Sequence, residues 1–95
     1  MAAYLIADVE VHDPAEYRKY TAGIPALIAK HGGEILVRGG RCEALEGTWL
    51  PSRLVVFRFP TMDAVRAFHS DPEYQPLIQQ RQRSAAADLL AIEGV

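Results

Sequence analysis

Apolar and polar residues alternate over residues 3–11, with Leu5, Ala7, Val9 and Val11 on one side and Tyr4, Ile6, Asp8 and Glu10 on the other. That period of two predicts a strand whose second face turns polar toward its end. His12-Asp13-Pro14 stops it, with Asp13 placed to cap a helix and Pro14 at its first position, where a missing N–H costs nothing. The period then changes to three and four at Tyr17, Tyr20, Ile24, Leu27, Ile28 and His31, the stripe of an amphipathic helix. Gly23 and Pro25 interrupt it. Because an interior proline removes a backbone hydrogen bond, a kink near Ile24 or a division into two shorter helices is expected.

Gly32-Gly33 ends the helix, since glycine tolerates the left-handed backbone of a helix C-terminus. Residues 34–38 read as a second strand, with Ile35 and Val37 on one face and Leu36 and Arg38 on the other. Gly39-Gly40 permits a bulge or bend, residues 41–45 can continue as a strand extension, and Glu46-Gly47 turns the chain back through Trp49 and Pro51. Residues 53–59 form the most apolar strand, with Val55, Phe57 and Phe59 facing one way and Leu54, Val56 and Arg58 the other. Thr61, with Asp63 in the first turn, caps a second helix through Phe68. Ser70-Asp71-Pro72-Glu73 opens a third helical segment over residues 72–83, and residues 88–93 close the chain as a fourth strand through Leu90 and Ile92.

Strand, helix, strand, strand, helix, strand is the split βαβ pattern, an α+β ferredoxin-like sandwich. Its four antiparallel strands are expected in the order 4-1-3-2 with the helices on one face. The other sheet face would then carry Tyr4, Ile6, Leu36, Leu54 and Val56 beside Asp8, Arg38 and Arg58. An apolar face of that size calls for a cover, and a two-fold dimer packing two sheets face to face as a closed α+β barrel supplies it.

Composition narrows the function classes. At 95 residues, with 49% apolar and 23% charged residues, the chain is expected to be one small globular domain. A net charge of −2 with interspersed signs gives no basic stripe for nucleic acid. No apolar run reaches the roughly 20 residues of a membrane helix, and the N-terminus lacks the basic start of a signal peptide, so a cytoplasmic location is expected. Cys42 alone cannot make an internal disulfide and reads as a half-buried strand residue. His12, His31 and His69 show no paired metal-ligand spacing, so no metal is expected. Gly32-Gly33 and Gly39-Gly40 lack the spacing and strand-to-helix context of a phosphate or nicotinamide loop, so no tightly bound cofactor is expected either.

The candidate chemistry starts from Arg38, Trp49 and Arg53 in the glycine-rich block of residues 32–60. Arg38 and Arg58 share the face that a dimer would cover, where Asp8 or Glu10 is the available counter-charge; the alternatives are a salt-bridged interface and an anion site. Trp49, on a loop, is either an interface anchor or a binding residue. His69 is either an acid or base or a histidine favoured by a helix C-terminus; His31, before Gly32, reads as the latter. Tyr17, Tyr20 and Tyr74 read as helix-face core residues whose hydroxyls can reach a cleft, and Arg81 as the partner of Asp88 or Glu73. His69, Arg38 and Tyr74 are thus the catalytic candidates, and Trp49, Tyr20 and Arg53 the binding candidates.

Across nearly its full length the chain resembles the domain of unknown function 1330 family. The resemblance rests on Tyr17 and Tyr20, His31-Gly32-Gly33, Arg38-Gly39-Gly40, Glu46-Gly47 with Trp49, Phe59-Pro60, Ser70 through Gln75, Arg81 and the closing Glu93-Gly94-Val95. It implies a homodimeric ferredoxin-like barrel similar in shape to cofactor-free monooxygenases and muconolactone isomerases, with a small aromatic or acidic molecule in a helix–sheet cleft. A non-catalytic, stress-related or partner-binding role is the alternative. Similar chains carry an aromatic such as Tyr where His69 stands, so a general-base role there would be particular to this one.

Overall fold

A computed structural model describes residues 1–95. The strands are β1 (Ala3–Val11), β2 (Glu34–Arg38), β3 (Arg53–Phe59) and β4 (Ala85–Glu93), and the helices are α1 (Pro14–Lys30), α2 (Met62–Ser70) and α3 (Gln75–Ser84). The strands form one antiparallel sheet in the order β2-β3-β1-β4, the expected ferredoxin-like order read from the other edge. No helix is long and apolar enough to cross a membrane.

The caps form as the sequence demands. Asp13 accepts a hydrogen bond from the Glu16 amide at 3.2 Å, and the Thr61 hydroxyl accepts one from the Ala64 amide at 3.1 Å. Helix α1 does not divide: it runs unbroken through Pro25. An interior proline costs about 3 kcal/mol, whereas Tyr17, Tyr20, Ile24, Leu27 and Ile28 are all buried and contribute about 1.5–3 kcal/mol each. Burial on both sides of the proline therefore holds the helix together.

Three boundaries also differ from expectation. Residues 41–45 do not extend β2; Gly39 takes φ +65°, its amide donates to the Leu54 carbonyl at 2.8 Å, and the chain leaves the sheet until Arg53. Cys42 is therefore a half-buried loop residue rather than a strand residue. Helix α3 begins at Gln75, because the Asp71 carboxylate captures the Glu73 amide at 2.9 Å and turns residues 71–74 first. Strand β4 begins at Ala85, three residues before its apolar alternation becomes visible, because Ala85, Ala86 and Ala87 pair with Val11, Glu10 and Val9 without large side chains.

Sixteen buried apolar residues form the core between the helices and the inner sheet face. Phe68 is fully buried at its centre, with ring centroids 4.4 Å from Tyr74, 5.3 Å from Phe59 and 6.5 Å from Phe57. At the far end of α1, Asp71 ties the α2–α3 turn down: its carboxylate accepts from His31 Nε2 at 2.7 Å and pairs with Lys30 Nζ at 2.8 Å. His31 is thus bonded to a specific acid rather than only capping its helix. The Lys30 ammonium, then His31 and the Glu73 amide, hold the Asp71 carboxyl well below the usual carboxylate range.

Replacing Phe68 by Ala should cost about 3–5 kcal/mol, the range for emptying a buried aromatic site, read as a lower urea midpoint; a loss under 1 kcal/mol would contradict this packing. For Asp71 the folded carboxyl ionises more readily than the unfolded one. Its stabilisation is therefore complete above the unfolded value near pH 4 and fades as pH falls below it. Asp71→Asn should lower the urea midpoint at pH 7, and the gap from the natural protein should begin to narrow below about pH 4 and shrink steadily as pH falls further toward the folded carboxyl's own range. A gap of the same size at about pH 2 as at pH 7 would show that the charge is not its source.

Candidate functional site

Strand β2 carries the decisive irregularity. Ile35 pairs with Phe57 but Val37 pairs with Val56, so Leu36 is the extra residue of a β-bulge and Arg38 comes to lie opposite Val55. A one-residue insertion moves every following side chain to the other face. Val55 is buried beneath the helices, so Arg38 points toward the helices and not to the open sheet face where plain alternation puts it. Val37 takes the outward place instead.

On the helix side a cavity of about 300 Å³ lies between α1, α3 and the sheet. Eleven of its seventeen lining residues are apolar, including Leu5, Ala7, Val55 and Phe57 on the sheet and Ile24 on α1. The other six are Thr21, Pro25 and the arginines Arg18, Arg38, Arg53 and Arg81, and Tyr17 and Tyr20 are among the eleven. No Asp, Glu, His, Lys or Cys lines it.

The arginines of the chain divide cleanly. Of eight, Arg41, Arg58, Arg66 and Arg83 each pair with a carboxylate at 2.6–3.5 Å, and none of these lines the cavity. Arg18, Arg38, Arg53 and Arg81 all line it and have no ion pair. Arg81 is only 7% exposed, so its charge is buried without a counter-charge, an arrangement that is costly unless something compensates. It is not the exposed partner of Asp88 or Glu73 expected from the sequence.

Aromatic faces supply part of the compensation. The Arg53 guanidinium lies 5.5 Å from the Tyr17 ring centre and that of Arg81 lies 5.8 Å from the Tyr20 ring centre; such cation–π contacts are worth about 0.5–2 kcal/mol each. Both arginines nonetheless keep a buried Nε with no hydrogen-bond partner. Gly39 makes room for Arg53, since a Cβ there would meet Arg53 Nη1 at 2.6 Å, and its φ of +65° strains any other residue.

Behind the cavity wall the Tyr20 and Tyr74 hydroxyls meet at 2.8 Å. Burial, then the neighbouring Tyr74, pushes the Tyr20 hydroxyl far above the ordinary tyrosine range, so it stays protonated.

Of the residues singled out from the sequence, Arg38, Arg53 and Tyr20 come together in the cavity. Tyr74 is fully buried behind Tyr20 and does not line it. His69 is exposed on the last turn of α2, lining a separate shallow hollow with Met62 and Arg66, its ring edge-on to Tyr74 at 6.1 Å. Trp49 lies on the opposite side of the sheet: 64% exposed, it donates from Nε1 to Asp8 Oδ2 at 2.8 Å. Asp8 is therefore engaged by Trp49, and Arg58 pairs with Glu34 rather than with Asp8 or Glu10.

Sequence reasoning missed Arg18 and Arg81. For Arg81 a signal existed, because it follows Leu77 and Ile78 at four and three residues and so continues the inward stripe of α3.

The fold is similar to that of RPA0582, a protein of unknown function from Rhodopseudomonas palustris, with a TM-score of 0.80 and 16% identity over 99% of this chain and 82% of that one. It is also similar to SnoaB, a cofactor-independent oxygenase from Streptomyces nogalater, with a TM-score of 0.68 and 15% identity over 99% of this chain and 93% of that one. Identities this low establish a shared fold. No protein of curated function matches the sequence directly. The domain of unknown function family DUF1330 matches residues 2–95, and the chain belongs to it.

Proposed function

We propose that this protein binds a small organic anion with a flat apolar body, such as an aromatic carboxylate, in the cleft between α1, α3 and the sheet. One observation carries the reading: the four arginines without a carboxylate partner are the four that line the cavity. An anionic ligand would supply the missing counter-charge by charge-assisted hydrogen bonds, while the apolar walls take its body.

The likeness in fold to SnoaB supports extending the reading toward cofactor-free oxygenase chemistry, and an isomerase-type reaction would draw on the same guanidinium groups, which would stabilise a developing enolate. The cavity's own composition limits that extension. With no His, Asp, Glu, Lys or Cys in its lining, a substrate would have to arrive already ionised, and His69 lies outside it. Ligand binding is therefore the part of the reading with direct support.

The same reading includes a homodimer formed through the open sheet face. That face presents Tyr4, Ile6, Leu54 and Val56 with the more exposed Val37, Leu90 and Ile92. The loop of residues 39–52 adds exposed Leu45, Trp49 and Leu50, and Trp49 already lies against this face through Asp8. A second copy would cover both, in the way apolar sheet faces of this extent are covered.

Two measurements test these statements. Aromatic carboxylates should raise the melting temperature and their neutral amides should not. At a hundredfold excess over Kd the gain is about 2.7 kcal/mol, or on the order of 10 °C for a domain this small. Arg38→Met and Arg53→Met should each weaken acid binding about tenfold or more, and amides that stabilise as well as acids would overturn the reading. Light scattering should give about twice the chain mass of 10.5 kDa; a monomer at micromolar concentration would remove the dimer.

A further inference from the structure

The anion reading leaves open where in the cavity the charged group of the ligand rests. The hydroxyl protons decide this. Tyr20 and Tyr74 each carry one O–H, and their 2.8 Å contact consumes one of the two protons. Tyr74 is sealed, at 0% exposure, and its hydroxyl has no other partner, whereas Tyr20 lines the cavity. The arrangement that strands no buried proton has Tyr74 donating to the Tyr20 oxygen and the Tyr20 O–H turned into the cavity.

Arg81 completes the same corner. Its guanidinium covers the Tyr20 ring, it is more than nine-tenths buried, and its Nε has no partner. The side chains at this end therefore offer donors, and the one hydroxyl oxygen among them is already taken by Tyr74. Arg18 and Arg38 are exposed and Arg53 is half-buried, so an anion held by those three keeps more of its contact with water.

Resting on the anion-binding reading above, we propose that Arg81 and Tyr20 form the inner seat for the carboxylate of the ligand, with Tyr74 the positioning residue that turns the Tyr20 hydroxyl toward it. A carboxylate suits the corner because it only accepts hydrogen bonds and its planar pair of oxygens matches the guanidinium fork. Because burial keeps Tyr20 protonated, its hydroxyl remains a donor across the physiological pH range. An apolar ligand bearing a neutral amide would bring its own N–H donors to a corner already crowded with them.

The test compares 2-naphthoate with 2-naphthamide by ligand fluorescence on the intact protein. The natural protein should prefer the acid. Arg81→Lys and Tyr20→Phe should each cut that preference at least tenfold, and Tyr74→Phe severalfold, while naphthamide affinity stays within about twofold. The phenylalanine variants keep ring volume, so they carry the test even where Arg81→Lys does not fold. The acid-to-amide ratio is also a readout that a loss of packing alone would not move. A preference retained in the Tyr20 and Arg81 variants but lost in Arg38→Met or Arg53→Met would overturn the inner seat and leave the anion-binding reading standing. No preference in the natural protein would overturn both.

Discussion

Four guanidinium groups around one apolar cavity, with no carboxylate among them, set the constraint to which the rest of the site answers. Isolated charge in a low-dielectric setting is costly, and folded proteins ordinarily meet that cost with a nearby acid. This chain does so for Arg41, Arg58, Arg66 and Arg83, all outside the cavity. Inside it, the compensation is a pair of tyrosine faces and, for the more exposed groups, water. The tyrosines do two tasks at once: their rings cover cations, and the Tyr20 hydroxyl ties α1 to the buried Tyr74.

The backbone makes this arrangement possible at two places. The bulge at Leu36 turns Arg38 inward, and Gly39 immediately afterwards adopts a left-handed conformation that leaves space for the Arg53 side chain. The same glycine ends the pairing of β2 with β3 and releases the long loop toward the opposite face. One short segment thus assigns Arg38 and Arg53 to the helix side of the sheet and Trp49 to the other. The two suites of residues that lie close in sequence serve separate surfaces.

Away from the cavity, stability rests on a compact aromatic core around Phe68 and on the Asp71 cluster that fastens the α2–α3 turn to the end of α1. Tyr74 belongs to both regions, since its ring packs on Phe68 and its hydroxyl meets Tyr20. Packing that fixes the Tyr74 ring therefore also fixes the hydroxyl pair behind the cavity. A site built in this way is held by the core, because core side chains have few alternative rotamers.

Much of this was legible in the sequence. Period-two and period-three-to-four patterns, with Asp13-Pro14, Thr61 and the glycine doublets as punctuation, place β1, α1, β2, β3 and α2 and the sheet order that follows from them. Those signals are local, and the physics behind them acts between near neighbours. The extended β4 was hidden because Ala85, Ala86 and Ala87 have no large side chains to reveal the alternation, and Pro25 does not divide α1 because its local cost is outweighed by distant burial. The face of Arg38 was not readable either: a bulge is defined by how two strands pair, and Leu36 looks like any other strand residue until β3 lies beside it. The sequence by itself determined the elements and supplied the arginines. The tertiary structure alone decided which of them meet, because counter-charges, cavity walls and strand register are set by contacts between residues far apart in the chain.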